Sequence, residues 1–390
     1  MNRRELLLSA GAGTLLLATP QAGAMIQRRP RPRGPGVYVQ ELPTASPIAG
    51  LPTSTALFIG AFSSTLGTGA IGRCSNTNTP AGFDRAQGPV DDFFAQGGSD
   101  LVLVQAGADK DGVPDHAAAL AGLARDGVPD FNLLLLVGAA EHLAADPARL
   151  SRLYAGGAQL ARQHFAQLLV EAPDNAPDYA VWRSSHGLND PDIAAWAPWL
   201  TDANGVLTPP GAAIAGLIAR TDAAEGVWQA PAGLNATLNG FTARDLPTSR
   251  LEAMNQANIN AIRPLQGAAT VWGARTLSDN TEWRYLPVRR LVRWTEASLT
   301  AATANYLFET SNQALWETIE RDVTDFLTGL WREGALSGAT LREGFWVRCG
   351  LGQTMTATDI QTNTVRVQVG LAVLRPAEFI VFDLEFQTAS

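Results

Sequence analysis

The sequence predicts a mixed α/β fold, with an α/β N-terminal and middle region and a C-terminal α+β domain. In the first region, short apolar runs alternate with stretches of helical periodicity around 116–125 and 150–165. The apolar runs cover 55–60, 101–105, 132–138 and 168–170. Strands that alternate with helices indicate an α/β layer. A further helix is predicted after Pro209, where proline and glycine precede an apolar stretch.

The pattern changes after about residue 276, where a strongly amphipathic helix is predicted. Its apolar face carries Leu315, Ile319, Val323, Phe326 and Leu330, and its polar face carries Glu317, Glu320, Arg321, Asp322 and Asp325. Period-two alternation then predicts one strand over 365–373 and another over 379–386. The last strand would be an apolar edge, which aggregates unless it has an intended partner.

The length of 390 residues, with 46% hydrophobic and 17% charged residues, is enough for two or three domains. We predict a signal-like or wrongly assigned N-terminal extension at 1–24 and an extended arm with a linker strand at 25–50. An α/β region, with room for an inserted subdomain, follows at 51–275. A C-terminal domain follows at 276–390.

The composition argues against several classes of function. The formal net charge of −8 lacks the basic footprint of a nucleic-acid-binding protein. Two cysteines, Cys74 and Cys349, are too few for a zinc site or a disulfide framework, so reduced thiols are expected. No nucleic-acid partner and no metal site are therefore predicted.

The first 25 residues allow two interpretations. Arg3 and Arg4 precede an apolar run over 6–18, and small residues up to Ala24 offer a cleavage site, as in a twin-arginine export signal. Alternatively, Met25 is the true start. Glycines and a proline interrupt the apolar run, which is shorter than the roughly 20 residues that span a bilayer, so direct membrane insertion is not expected.

An extended arm is predicted next, because 28–35 is basic and rich in proline. A strand follows at 36–41, where Val37 and Val39 alternate with polar or amphipathic neighbours. Pro43 and Pro47 interrupt the chain directly afterwards, so no hairpin partner is adjacent. The backbone groups of this strand must therefore pair elsewhere.

The sequence contains one apparent cofactor motif. Gly67, Gly69 and Gly72 form a G-x-G-x-x-G pattern after the predicted strand at 55–60, the position of a dinucleotide fingerprint. That fingerprint requires a helix to begin at the third glycine, yet polar turn residues and Pro80 follow. We therefore expect a loop, and no cofactor.

Three sets of polar residues are candidates for a site. The segment 174–192 gathers acidic residues, two serines and His186, but their spacing matches no ligand template, and turn chemistry explains them. The four histidines lie on unrelated segments without a local partner for general-base chemistry. Arg289, Arg290 and Arg293 begin a predicted helix, where cations oppose the helix dipole. They indicate either an anionic partner or a solvated face paired with Glu296 or Glu282.

Several motifs in order resemble the phage-type contractile tail sheath family, over 34–386. Near the N-terminus these are PGVYVQEL, GPVDDFFAQGGSDLVLVQ and FNLLLLVG. The middle of the chain carries AGLIARTD, GVWQAPAG, NINAIR, VWGARTLS and EWRYLPVRRL. The C-terminal third carries NQALWETIERDVTDFLTGLWREGALSGAT, GFWVRCG and LRPAEFIVFDLEF. Singly these motifs are modest, but their order is specific.

The resemblance implies a structural subunit that polymerises helically around an inner tube and contracts. It implies donated strands, formed by Val37, Tyr38, Val39, Gln40 and Glu41 and by Phe379, Ile380, Val381, Phe382 and Leu384, which add to neighbouring subunits. Acceptor strands are expected around Phe345 and Val347 and around Val367 and Val369. The tube contact is expected at Arg289, Arg290 and Arg293 or on the helix at 315–330.

The implied partners are further copies of the chain, the inner tube protein, and baseplate and terminator or cap proteins. The protein is expected to be no enzyme, to assemble in the cytoplasm, and to become part of a phage tail, a tailocin or an extracellular injection particle. The alternative is an exported monomeric binding or hydrolytic protein cleaved after Ala24. A dehydrogenase that uses the three glycines would bind a nicotinamide cofactor, which is not expected.

Overall fold

The computed structural model describes residues 48–84, 88–174 and 178–378. Its strands are β1 (Ala56–Gly60), β2 (Ile71–Ser75), β3 (Asp100–Gln105), β4 (Leu133–Leu136), β5 (Gln167–Glu171), β6 (Ile193–Ala197), β7 (Leu200–Thr201), β8 (Leu207–Thr208), β9 (Thr237–Leu238), β10 (Thr242–Ala243), β11 (Ile259–Leu265), β12 (Ala268–Val271), β13 (Phe345–Cys349) and β14 (Val367–Leu371).

The helices have the following bounds: α1 (Gly88–Ala95), α2 (His116–Asp126), α3 (Ala139–His142), α4 (Pro147–Gln163), α5 (Tyr179–Ser185), α6 (Gly211–Glu225), α7 (Thr248–Gln256), α8 (Leu286–Ala302), α9 (Gln313–Arg332), α10 (Leu341–Gly344) and α11 (Ala357–Gln361). A short 3₁₀ helix, Thr303–Tyr306, follows α8.

A nine-stranded sheet forms the centre of the α/β region, in the order β2-β3-β1-β4-β5-β6-β11-β12-β9. The strands from β3 to β11 in this order pair in parallel, whereas β2, β12 and β9 are antiparallel to their neighbours. Helical crossovers place apolar layers on both sides of a parallel sheet, so its central strands are apolar throughout. The strand β4, four leucines buried along its whole length, shows this pattern.

The two faces of the sheet bury separate apolar layers. Leu57 and Ile59 of β1 point to one layer, where α2, α4, α5 and α7 pack, and Phe58 points to the other, which contains α1 and α6. The helix α6 is buried along most of its first ten residues and packs against α1. Side chains that alternate across a strand and are buried on both faces confirm the predicted α/β layer.

The C-terminal part adds a third apolar cluster. Helix α9 packs against the antiparallel pair β13 and β14, and α8 contributes Leu291 to the same cluster. The predicted helix at 315–330 is thus present within α9, and the predicted strand at 365–373 is present as β14. Helices on one face of a small antiparallel sheet confirm the α+β character of this part.

The described residues all belong to one compact unit. Neither this unit nor the element order separates 51–275 from 276–390, and the boundary at 275 stays a prediction. Within the described ranges, no helix is long and apolar enough to cross a membrane. The predicted linker strand at 36–41 and terminal strand at 379–386 lie outside the described residues.

Candidate functional site

The hairpin of β13 and β14 is the candidate intersubunit site. Val347 pairs with Val369, and Phe345 pairs with Leu371, in an antiparallel register. These side chains belong to the apolar cluster that includes α9. In the described parts of the chain, neither strand has a second strand beside it, so both edges of the hairpin can accept another strand.

The outer face of the hairpin is built around Trp346. Its indole is about half exposed, and the guanidinium carbon of Arg348 lies 5.0 Å from its ring centroid. Gly370, directly opposite, leaves room for the indole, since a Cβ atom there would lie 2.1 Å from Nε1 of Trp346. The sheet therefore presents an aromatic side chain and a cation outward, between two open edges.

Helix α9 supports the inner face of the hairpin. The side chain of Asn312 caps the helix, accepting a hydrogen bond from the Leu315 amide at 3.0 Å. The apolar positions Ile319, Val323, Phe326 and Leu330 are buried, whereas Leu315 is half-buried. Leu327 is wholly enclosed. One prediction was wrong: Asp322, assigned to the polar face, is 6% exposed. Tyr306 donates to it at 2.8 Å, and burial together with this hydrogen bond raises the pKa of Tyr306 to about 12.

The arginine cluster lies at the start of α8, against the α/β sheet. Arg289 donates to both oxygens of Asp192, through Nε at 2.7 Å and Nη2 at 3.0 Å. Arg293 donates to the same carboxylate at 3.1 and 3.0 Å, and Arg162 approaches it at 3.2 Å. Asp192 is fully buried. Burial opposes its ionisation, but the guanidinium groups of Arg289 and Arg293 outweigh that effect and hold its pKa below the usual value.

The third arginine has its own buried partner. Arg290 donates to Asp222 of α6 at 2.7 and 2.6 Å and to the Thr53 carbonyl at 2.8 Å. Arg290 is 5% exposed and Asp222 is 7% exposed. A bidentate arginine and carboxylate pair of this kind fixes distance and orientation together. It therefore locks α8 to α6.

These contacts correct the expected tube contact at Arg289, Arg290 and Arg293. The anionic partner indicated by the sequence lies inside the chain, and buried, paired guanidinium groups are not free to bind another protein. Only the predicted pair between Arg293 and Glu296, at 2.9 Å, lies toward the surface. The sequence showed only that the three arginines lie close together on a helix. It could not show their partners, because Asp192 is 97 residues from Arg289 and Asp222 is 68 residues from Arg290.

The glycine motif has no dinucleotide geometry. Gly69 lies in a turn, and Gly72 lies within β2, an edge strand antiparallel to β3. The segment after the third glycine is thus a strand, whereas the fingerprint requires a helix whose N-terminus faces the pyrophosphate. The expectation of a loop holds for Gly67 and Gly69, and Gly72 is corrected to a strand residue.

The polar segment at 174–192 has structural roles. It contains the helix α5, which the turn interpretation missed, and Asp178 caps this helix by accepting from two backbone amides. His186 is bonded through Nδ1 to the Trp182 carbonyl at 2.6 Å, and Asp190 pairs with Arg162. In the described segments, no group of three or more histidine, cysteine and carboxylate side chains could hold a metal ion.

Comparisons with known proteins find similarity to tail sheath proteins and to chains of contractile particles. Residues 278–387 match the model of the phage tail sheath C-terminal domain. A putative prophage major tail sheath protein from Pseudomonas aeruginosa (strain UCBPP-PA14) is 28% identical over 196 residues, 47% of this chain and 48% of that protein. The aligned region thus spans about half of this curated relative.

Two solved structures are similar over nearly the full chain. A chain in the cryo-EM structure of the anti-feeding prophage baseplate is 28% identical, with a TM-score of 0.71, and the match covers 92% of this chain and 100% of that one. A chain of the PVC sheath complex, an extracellular contractile injection system in its contracted state, is 28% identical, with a TM-score of 0.70, over 92% and 98%.

Proposed function

Since the chain belongs to the phage-type contractile tail sheath family, we propose that it polymerises around an inner tube as a sheath subunit and that the polymer shortens to drive the tube through a target envelope. The observation that carries this proposal is the full-length similarity to a chain of a contracted sheath complex, at 28% identity and a TM-score of 0.70. The role is structural, and the proposed action involves no catalytic step.

The hairpin of β13 and β14 supports polymerisation by strand addition. Among the described residues, no strand lies beside its edges, and its inner face packs on α9. Two alternating segments of the same chain, 36–41 and 379–386, have strand patterns and suit these edges. An extended segment that adds to an exposed edge gains main-chain hydrogen bonds, and the alternate side chains give specificity. We place the donated strands of neighbouring subunits here.

Such contacts join different surfaces of identical subunits. A heterologous contact repeats from copy to copy and builds a helix when its rotation does not close a ring. Contraction then consists of rigid-body rotation and sliding of subunits, while the strands keep neighbours connected. The buried pairs of α8 fit this requirement, because they keep the α/β and C-terminal parts together as the subunit moves.

The proposed partners are other copies of the chain, an inner tube protein, and baseplate and terminator or cap proteins. With the arginine cluster occupied internally, we propose the tube contact on the exposed side of α9, where Glu317 and Arg321 point outward. We propose that assembly takes place in the producing cell's cytoplasm, before the finished particle acts.

Negative-stain electron microscopy of the purified protein tests this function. The chain would be expressed from Met1 and from Met25, alone and with the inner tube protein of the same particle. Helical tubes or stacked rings are expected in at least the mixture with the tube. Monodisperse monomers under every condition would contradict the proposal and favour an exported monomeric protein with a sheath fold.

A further inference from the structure

An ion pair between Arg275 and Glu378 holds the chain beyond the hairpin. Arg275 lies between β12 and α8, and Nε donates to the Glu378 carboxylate at 2.8 and 3.1 Å, while Nη2 makes a second contact with it. Tyr285 approaches the same carboxylate through its hydroxyl group at 3.4 Å. Arg275 is 7% exposed, and the Glu378 side chain is 16% exposed. We call Arg275, Tyr285 and Glu378 the C-terminal anchor.

The arginine of this anchor is fixed from the other side as well. Its Nη1 donates to the Asn255 carbonyl at 2.7 Å and to Oδ1 of Asn258 at 3.2 Å. Its backbone amide donates to Oδ1 of Asn260 at 2.6 Å, and its carbonyl accepts from the same amide side chain at 2.8 Å. These contacts hold the guanidinium group in one orientation, independently of Glu378. Its Nε and Nη2 groups then make the bidentate contact with the Glu378 carboxylate.

The chain reaches this anchor after leaving the hairpin. Just beyond β14, Val373 bridges Leu336, and the Ser337 amide donates to the Ala372 carbonyl at 2.8 Å. Leu374, Arg375 and Ala377 are then exposed. The chain is thus held at Val373 by the C-terminal part and held again at Glu378 by the α/β region.

We propose that the C-terminal anchor fixes the origin and direction of the C-terminal arm, so that the arm reaches a neighbouring subunit from the α/β region instead of from its own hairpin. This proposal rests on the proposed function, in which residues beyond Glu378 form a donated strand. It assigns Arg275 and Tyr285 as positioning residues for assembly, because they act on the arm through Glu378.

Chain dimensions show which property of the anchor matters. The predicted strand, 379–386, follows Glu378 directly, and its far end lies at most about 26 Å from the anchor when fully extended. Without the anchor, the free chain would begin at Leu374, and the stretch from there to Phe386 would span at most about 43 Å. For a flexible tether, this lengthening lowers the effective concentration of the strand by about twofold. A larger effect on assembly must therefore come from the loss of the fixed starting point and direction of the C-terminal arm.

The test compares four full-length proteins: the parent, Glu378→Ala, Glu378→Gln and the control Arg375→Ala. Arg375 is exposed and lies three residues before the anchor. Circular dichroism and thermal unfolding establish that each monomer is folded. Glu378→Gln keeps the length of the side chain and one acceptor oxygen, so it remains informative if the alanine variant folds poorly.

Two measurements then follow. The first is the critical concentration of assembly by sedimentation, with helical twist from cryo-EM. We expect a rise of more than about fivefold and a broader range of twist for Glu378→Ala, a smaller rise for Glu378→Gln, and parental behaviour for Arg375→Ala. If the critical concentration of Glu378→Ala rose by no more than about twofold, as expected from the longer tether alone, and the twist were unchanged, the proposal would be overturned.

The second measurement is the mobility of a spin label attached to a cysteine at the exposed position of Ala377, in monomers of each protein; the native Cys74 and Cys349 are buried. The label should become more mobile in Glu378→Ala and stay restricted in the parent and in Arg375→Ala. Equal mobility in the parent and Glu378→Ala would overturn the anchor, whether or not the parent assembles. Failure of the parent to assemble would instead contradict the proposed function, so the two failures are distinguishable.

Discussion

Arg289 of α8 donates two hydrogen bonds to Asp192, at 2.7 and 3.0 Å, across 97 residues of sequence. The carboxylate precedes β6 directly and is fully buried, so the contact ties the C-terminal part to the end of a central strand of the large sheet. Arg293 shares the carboxylate, and Arg290 makes a separate buried pair with Asp222. The region preceding α9 is thereby fixed in orientation by charges, in addition to apolar packing.

Replacing Asp192 with asparagine should destabilise the protein strongly. The change leaves the buried guanidinium group of Arg289 with no anion and leaves Arg293 with only the more exposed Glu296. Breaking a buried pair from one side costs about 3 to 5 kcal/mol. Urea unfolding followed by circular dichroism measures the loss. Asp279→Asn is the matched control, because Asp279 pairs with Arg183 but its side chain is 62% exposed, and a loss under about 1 kcal/mol is expected. Equal losses in both variants would contradict this account.

The buried Glu171 should make stability depend on pH. It accepts a hydrogen bond from the Gly211 amide, at the start of α6, at 2.9 Å. Burial raises its pKa from 4.5 to about 7, although this hydrogen bond opposes the shift. The folded state therefore binds more protons than the unfolded state between these values, so stability falls as pH rises from about 4.5 to 7 and then stays level. The size of this contribution is on the order of 3 kcal/mol.

Glu171→Gln provides the measurement, because glutamine cannot titrate. Free energies of unfolding would be compared for the parent and the variant at pH 5, 6, 7 and 8. Burial also raises the pKa of Asp92 to about 7 and lowers that of His116, so the informative quantity is the difference between the two proteins. The free energy of unfolding of the parent should fall relative to that of Glu171→Gln as the pH rises from 5 to 7. A constant difference would show that Glu171 does not titrate in this range.

Truncation of Leu327 should weaken the support of the hairpin. This side chain is wholly buried in the cluster formed by α9 with β13 and β14. Leu327→Ala removes apolar contact and leaves a cavity, for an expected loss of about 2 to 5 kcal/mol. Leu327→Met conserves volume and should cost less than about 1.5 kcal/mol. Similar losses for both variants by urea unfolding would argue against close packing here.

The donated strands should be needed for assembly but not for folding of the subunit. A proline at Val381, or deletion of 25–41, removes backbone donors or the whole strand that would pair between subunits. Each variant should remain a folded monomer by circular dichroism and fail to sediment as polymer. Normal polymers from either variant would exclude that strand from the assembly mechanism.

Local patterns predicted much of the fold. The runs at 55–60 and 101–105 became β1 and β3, and the amphipathic pattern became α9. The edge strand β2 was missed, because only Gly72 and Cys74 of its five residues are buried and the segment has no apolar run. The alanine-rich β6 gave no distinct strand signal either. Short or mixed segments take their conformation from neighbours that are distant in sequence.

The roles of charged residues were harder to predict. The spacing of Arg289, Arg290 and Arg293 left open an anionic partner or a solvated face. The structure instead pairs these arginines inside the chain with Asp192 and Asp222, which could not be identified as partners without the fold. The same limit hid the pairing of Arg275 with Glu378, which are 103 residues apart. Of the two strands of the hairpin, in contrast, β14 was recognisable from its own alternation, and β13 was expected from the family resemblance alone.

Cryo-EM helical reconstruction of the assembled parent protein tests the central claim most directly. We expect density for two additional strands, one on each side of β13 and β14, whose side chains fit 36–41 and 379–386 of neighbouring subunits. Polymers in which both edges of this hairpin stay unpaired, or in which these segments lie against their own subunit, would contradict it.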